Sequence, residues 1–194
     1  GTSDPTDLLV DSISLMAGLS EYVGSEFCRD SFLPKLQQYC VHESHLVRKA
    51  CPEGIAALAN ALTNEAGLTD NPRATVICPL FEGLLTDEIW GVRKCCAEFL
   101  AGVSAGLSAE EKIEHIAAWF SKLAQDSSRW VRSAAFKKLG ALIATFAPPI
   151  PVDGLPQVTD AENAEAALAL LSLKVSGVTA DEPEPRRDIP STPS

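Results

Sequence analysis

Asp87-Glu88-Ile89-Trp90-Gly91-Val92-Arg93-Lys94-Cys95-Cys96-Ala97-Glu98 decides the fold, because its pattern returns as Asp126-Ser127-Ser128-Arg129-Trp130-Val131-Arg132-Ser133-Ala134-Ala135-Phe136. The Val-Arg pair at the centre of both also stands earlier, as Val47-Arg48. The three pairs are separated by 45 and 39 residues, a period that belongs to stacked helical hairpins. Working outward from each Val, other columns fall into line. Eleven residues upstream stand Leu36, Phe81 and Phe120, and eight upstream stand Tyr39, Leu84 and Leu123. Eight downstream stand Ile55, Leu100 and Leu139, and eleven downstream Leu58, Val103 and Leu142. Apolar columns three apart, on both sides of a polar break, describe two amphipathic helices facing each other across a short turn.

Each unit is therefore expected to be helix, turn, helix. The first helices should run over roughly 30–39, 73–85 and 109–124, and the second over 44–62, 88–105 and 128–146. Ser108 followed by Glu111 forms a capping-box signature at the third opening helix. Gly67, Gly106 and Pro148-Pro149 punctuate the units. Residues 6–23 carry apolar positions at helical spacing, as the closing helix of a truncated preceding unit would. Residues 4–148 thus make one array, a partial leading helix plus three hairpins. The remainder, 149–194, is expected to be a mostly disordered, Pro-rich acidic tail with a helix over 161–175 that Asp160 could cap.

Composition narrows the function classes. The chain has 46% hydrophobic and 22% charged residues but only 6% aromatic, a mixture better suited to packed helices than to sheets. Its net charge is -10, half of it carried beyond Pro148, which argues against a nucleic-acid backbone as partner. No uninterrupted apolar run of about 18 residues is present, so no membrane span is expected. A basic segment leading into an apolar run is also missing, and no leader is expected. Cys28, Cys40, Cys51, Cys78, Cys95 and Cys96 lie mostly at apolar helical positions and include no C-x-x-C pair. They read as small core hydrophobes in a reducing compartment, the cytoplasm and also the nucleus.

At these columns the sequence resembles the HEAT repeats of regulatory subunits of serine/threonine protein phosphatases. Residues 87–98, 126–136 and 139–147 carry the likeness. It is nearer to the amino-terminal array of the phosphatase 4 regulatory subunit 1 family than to the scaffolding subunit of phosphatase 2A, and it covers roughly residues 8–147. It implies an all-α, right-handed HEAT-repeat solenoid with a flexible acidic C-terminal tail. Two residues depart from the pattern. His42 stands where the turn Asp of the later units is expected, and Pro52 falls inside a closing helix, where it should kink the chain.

The resemblance also implies roles for the turn residues. Arg48, Asp87, Arg93, Asp126 and Arg132 form a structural ladder between units, with Asp87 expected opposite Arg132. Glu43, His45, Glu88, Trp90, Ser128, Arg129 and Trp130 form a ridge along the same edge, either packed or free to bind a protein. The expected function is a non-catalytic regulatory scaffold that binds a serine/threonine phosphatase catalytic subunit or positions its substrates. A generic HEAT adaptor of a transport or chromatin assembly is the alternative. A HEAT-like hydroxylase would need several His-Glu pairs to hold a di-iron centre, and this chain offers only His42-Glu43 and a reversed Glu114-His115. We therefore assign no catalytic residue, no cofactor and no metal, and expect neither nucleic acid nor membrane as a partner.

Overall fold

The computed structural model describes residues 4–62 and 71–147. Gly67 and every expectation for the segment beyond residue 147 lie outside the described residues. Within them the chain is an all-α repeat solenoid. Helix α1 spans Pro5–Val23. The first hairpin follows as a short α2 (Ser25–Phe27), a π-helical turn (Cys28–Phe32), α3 (Leu33–Cys40) and α4 (His45–Ala61). The second comprises a π-helical turn (Arg73–Ile77), α5 (Cys78–Leu84) and α6 (Trp90–Gly106), and the third α7 (Ala109–Ala124) and α8 (Arg129–Ala144). Among the described residues no strand occurs, and no helix is long and apolar enough to cross a membrane.

The two π-helical turns have a sequence cause. Pro34 and Pro79 occupy the same repeat column and sit at the starts of α3 and α5. Proline lacks the N–H that would bond four residues back, and its ring crowds that carbonyl. The chain widens just before each one: Leu33 N–H bonds Cys28 O and Cys78 N–H bonds Arg73 O, five residues back. In the third hairpin the column holds Ala118, and α7 runs through it as one α-helix. Its start is fixed by the expected capping box. Ser108 Oγ accepts from Glu111 N–H at 3.2 Å, and Glu111 Oε2 accepts from Ser108 N–H at 2.8 Å. Pro52 does not divide α4, which continues across it from His45 to Ala61 with Pro52 buried. Packing on both flanks, α1 on one and α6 on the other, holds the helix through the missing bond.

The closing helices α1, α4, α6 and α8 pack in succession, each on the next. The repeat columns become the core: Leu36, Phe81 and Phe120 from the opening helices, and Val47, Val92 and Val131 from the closing ones, are all buried. Removing one such side chain from water stabilises the stack by about 1.5–3 kcal/mol. Small residues set the spacing of α4 and α6. A Cβ on Gly106 would meet the Ala59 carbonyl carbon at 2.4 Å and Asn60 N at 2.5 Å, so only glycine fits there. Asn60 Nδ2 reaches across to Gly102 O at 2.9 Å, tying the same two helices.

Candidate functional site

The turn edge of the array is built from one repeated unit of hydrogen bonds. In the second turn, Asp87 Oδ1 accepts from Ile89 N–H at 2.9 Å, which closes the turn leading into α6. In the third, Asp126 Oδ1 accepts from Ser128 N–H at 2.8 Å. Six residues after each, an arginine folds back over its own turn. Arg93 Nη1 donates to Asp87 O and Glu88 O, and Arg132 Nη1 to Asp126 O and Ser127 O. Arg48 does the same to His42 O and Glu43 O. His42 takes over the local task of the aspartate it replaces: its Nδ1 accepts from Ser44 N–H at 3.0 Å.

The rest of each guanidinium reaches the following unit. Arg48 Nε and Nη2 donate to Asp87 Oδ2 and Oδ1 at 2.7 and 3.1 Å. Arg93 Nε and Nη2 donate to Asp126 Oδ2 and Oδ1 at 2.6 and 3.0 Å. These are fork-on-fork pairs, the strongest geometry for arginine and carboxylate. The expected pairing of Asp87 with Arg132 is thus wrong: Asp87 pairs backward, with Arg48 of the preceding unit. The direction follows from the folded-back arginine, whose free Nε edge faces the next turn while Nη1 is held by its own. Among the described residues Arg132 has no carboxylate partner.

Charge and burial act together in these pairs. Burial pushes the Asp87 carboxyl upward. The Arg48 hydrogen bonds, the Ile89 N–H and the charges of Arg48 and Arg93 outweigh it and hold the group below its ordinary range. Asp126 is lowered in the same way, with Arg93 and Ser128 N–H opposing its burial. The hydrogen bonds to Asp87 and Asp126 raise Arg48 and Arg93 in return.

This ladder carries a ridge of exposed side chains. Trp90 is 48% exposed and Trp130 53%, so neither is a core tryptophan. The Arg129 guanidinium lies 4.6 Å from the Trp130 ring centroid, a cation–π contact that stiffens both. Glu43, His45 and Glu88 are exposed, whereas Ser128 is half-buried, with its N–H taken by Asp126. Sequence reasoning left out Leu46, which is 47% exposed beside His45. Its column, one residue before the repeat Val, is also that of Trp130, and this shared column was the signal available.

A second polar cluster, also absent from the expected site, lies away from the ladder. Arg73 is buried, donates to Gly106 O at 2.8 Å and comes within 3.5 Å of Glu111 Oε2. Asn71 Nδ2 bonds the other Glu111 oxygen at 2.7 Å. This cluster joins the second and third hairpins as the ladder does.

The cysteines are free and buried. Burial raises Cys96, Cys95 and Cys28 and pushes Cys78 up to about 12. A hydrogen bond with Cys51 and burial raise Cys40. A nucleophile needs the opposite shift. No group of three or more His, Cys, Asp or Glu side chains among the described residues could hold a metal ion.

No protein-family model matches the chain. Curated proteins do: serine/threonine-protein phosphatase 4 regulatory subunit 1 from Homo sapiens, Mus musculus and Rattus norvegicus are each 32% identical to it over 144 residues. The matched segment is 74% of this chain, and the chain spans 14% of the length of those relatives. On that similarity the chain is placed, at the level of family, with the phosphatase 4 regulatory subunit 1 proteins.

Proposed function

We propose that this member of the phosphatase 4 regulatory subunit 1 family is a non-catalytic regulatory scaffold whose turn edge binds a serine/threonine phosphatase catalytic subunit. The relatives are named as regulatory subunits, which supports the regulatory role. The observation that carries the choice of surface is the exposure of Trp90 and Trp130, with Arg129 stacked on the latter, along one edge. Tryptophan and arginine are the side chains most often found at the energetic centre of protein interfaces. Here they stand on turns locked by the Arg48–Asp87 and Arg93–Asp126 pairs, so little ordering cost remains to be met on binding. By mechanism this is recruitment: the scaffold fixes where the catalytic subunit sits relative to its substrates.

The test is capture of purified phosphatase 4 catalytic subunit by the whole chain, with the phosphatase 2A catalytic subunit alongside. We expect selective capture of the former, weakened at least tenfold by Arg129→Glu and by Trp130→Ala with helicity unchanged. Capture indifferent to both variants would remove the ridge and leave the regulatory role. Failure of the folded chain to capture either subunit would remove the proposed partner.

A further inference from the structure

The array's last described face is unfinished in two independent ways. First, Arg132 is held by its own turn as Arg48 and Arg93 are held by theirs, yet the Nε edge that pairs with a carboxylate in both earlier units meets none among the described residues. Second, the helix face beyond it is incompletely covered. Four, seven and eleven residues after Arg48 stand Pro52, Ile55 and Ala59, and after Arg93 stand Ala97, Leu100 and Ser104. All six are buried. This face looks toward the following unit, as the Ser104–Thr145 hydroxyl contact at 2.6 Å and the approach of Ala59 to Gly106 show. The same positions after Arg132 are Phe136, Leu139 and Ile143, larger and more apolar, and they are only half-buried.

We propose that residues 160–175 of this chain, which lie outside the described residues, dock along this face of α8 as a capping helix, with the Asp160 carboxylate on Arg132. Three features of the sequence favour this occupant. Asp160 follows Asp126 by 34 residues, close to the 39 that separate Asp87 from Asp126. The segment after it places Ala161, Ala164, Leu168, Leu171 and Val175 on one side of a helix. Running parallel to α8, that side sets the alanines against Phe136 and the leucines against Leu139 and Ile143, so large meets small along the contact.

The lengths also agree. From Arg132 to Phe146 a helix rises about 21 Å at 1.5 Å per residue. The return from the end of α8 to the level of Arg132 falls to residues 147–159. Rich in proline, they span about 40 Å at roughly 3.1 Å per residue, ample for the return path. Residues 161–175 as a helix would be about 22 Å long, matching α8. In the earlier units an opening helix makes this return. Here an extended segment suffices, because one helix bearing one aspartate supplies what the face lacks.

The test is amide hydrogen exchange of the whole chain, read at Phe136–Ile143, with light scattering to give the mass in solution. We expect a monomer in which Leu168→Glu with Leu171→Glu speeds exchange in that segment about tenfold and leaves α4 unchanged. Glu162→Gln, on the other side of the segment, should change nothing. Asp160→Asn should speed exchange severalfold in the wild-type background and have no further effect in Arg132→Gln, whereas Asp153→Asn should have none in either. Exchange indifferent to the leucine pair would overturn the proposal. So would protection that rises with concentration, which would assign the face to a second copy docking through the exposed Leu8, Leu15, Leu19 and Tyr22 of α1.

Discussion

Asp87→Ala is the sharpest perturbation of the fold. It strips Arg48 of both carboxylate bonds, at 2.7 and 3.1 Å, and takes from Ile89 N–H its turn acceptor at 2.9 Å. The paired side chains are only 13% and 7% exposed, so solvent cannot fully replace the lost partner. Stranding a charge of this kind costs about 3–5 kcal/mol. Arg48 keeps its bonds to His42 O and Glu43 O, which favours the low end, about 3 kcal/mol. The lost turn bond adds about 1 kcal/mol. A total near 4 kcal/mol lowers the melting temperature by about 10 °C in a chain of this size. Thermal and urea unfolding followed by circular dichroism would read it. Asp87→Asn separates the two effects, since the amide oxygen still accepts from Ile89 N–H while its NH2 opposes the arginine donors. In the cycle with Arg48→Met, the double variant should recover about 2–3 kcal/mol relative to the sum of the singles. A loss under about 1 kcal/mol with no coupling would refute the ladder as an energetic element.

Three further outcomes follow from the same geometry. Because Asp87 and Asp126 titrate below their ordinary value of 3.8, the pairs contribute fully above about pH 4, and stability should drain away as pH falls through the depressed folded values. Acid unfolding of Asp126→Asn should accordingly show a shallower dependence on pH. Gly106→Ala places a methyl group against the α4 backbone and should cost about 3 kcal/mol, measured by urea unfolding, whereas Gly83→Ala, with open space around it, should cost less than about 0.5 kcal/mol. A thiol reagent at pH 8 should modify the six buried cysteines only at the rate of global or local unfolding, so labelling faster than the array opens would contradict their burial.

Much of this fold was legible because the repeat columns encode packing directly. A column that is apolar in all three units, such as Val47, Val92 and Val131, can only be the seam, and most helix bounds followed from it within two residues; the first opening helix, expected from residue 30, instead starts as a helical run at Ser25. The π-helical turns were not read, although Pro34 and Pro79 announce them. A proline at a helix start is ordinarily tolerated, and only extension of the helix upstream of it forces the wider turn. The ladder residues were legible as a set but not in their pairing. Spacing along the chain is nearly symmetric about Asp87, and the choice between Arg48 and Arg132 depends on which edge of the guanidinium the turn carbonyls occupy. Arg73 escaped notice for a related reason. It lies on an opening segment outside the columns, and its partners Gly106 and Glu111 stand at the end of α6 and in the first turn of α7.

The first turn shows what each half of the ladder contributes. His42 keeps the local bond to Ser44 N–H and, like the aspartates, offers its carbonyl to a folded-back arginine. It offers no carboxylate to the unit before it, and among the described residues α1 presents no arginine to receive one. The local turn bond is thus kept at all three turns, while the cross-unit pair occurs only where an arginine stands in the preceding closing helix. The two tasks share one carboxylate: Oδ1 accepts from its own turn and from the preceding arginine, and Oδ2 from that arginine alone. The ridge stands apart from both. Trp90 and Trp130 sit within four residues of Asp87 and Asp126, outside the seam, so substitutions on the ridge leave the stack undisturbed. The seam in turn fixes how far apart the two tryptophans stand. In the proposed role, a ridge whose spacing is held by half-buried charge pairs and whose chemistry is carried by exposed rings could be tuned to its partner one turn at a time.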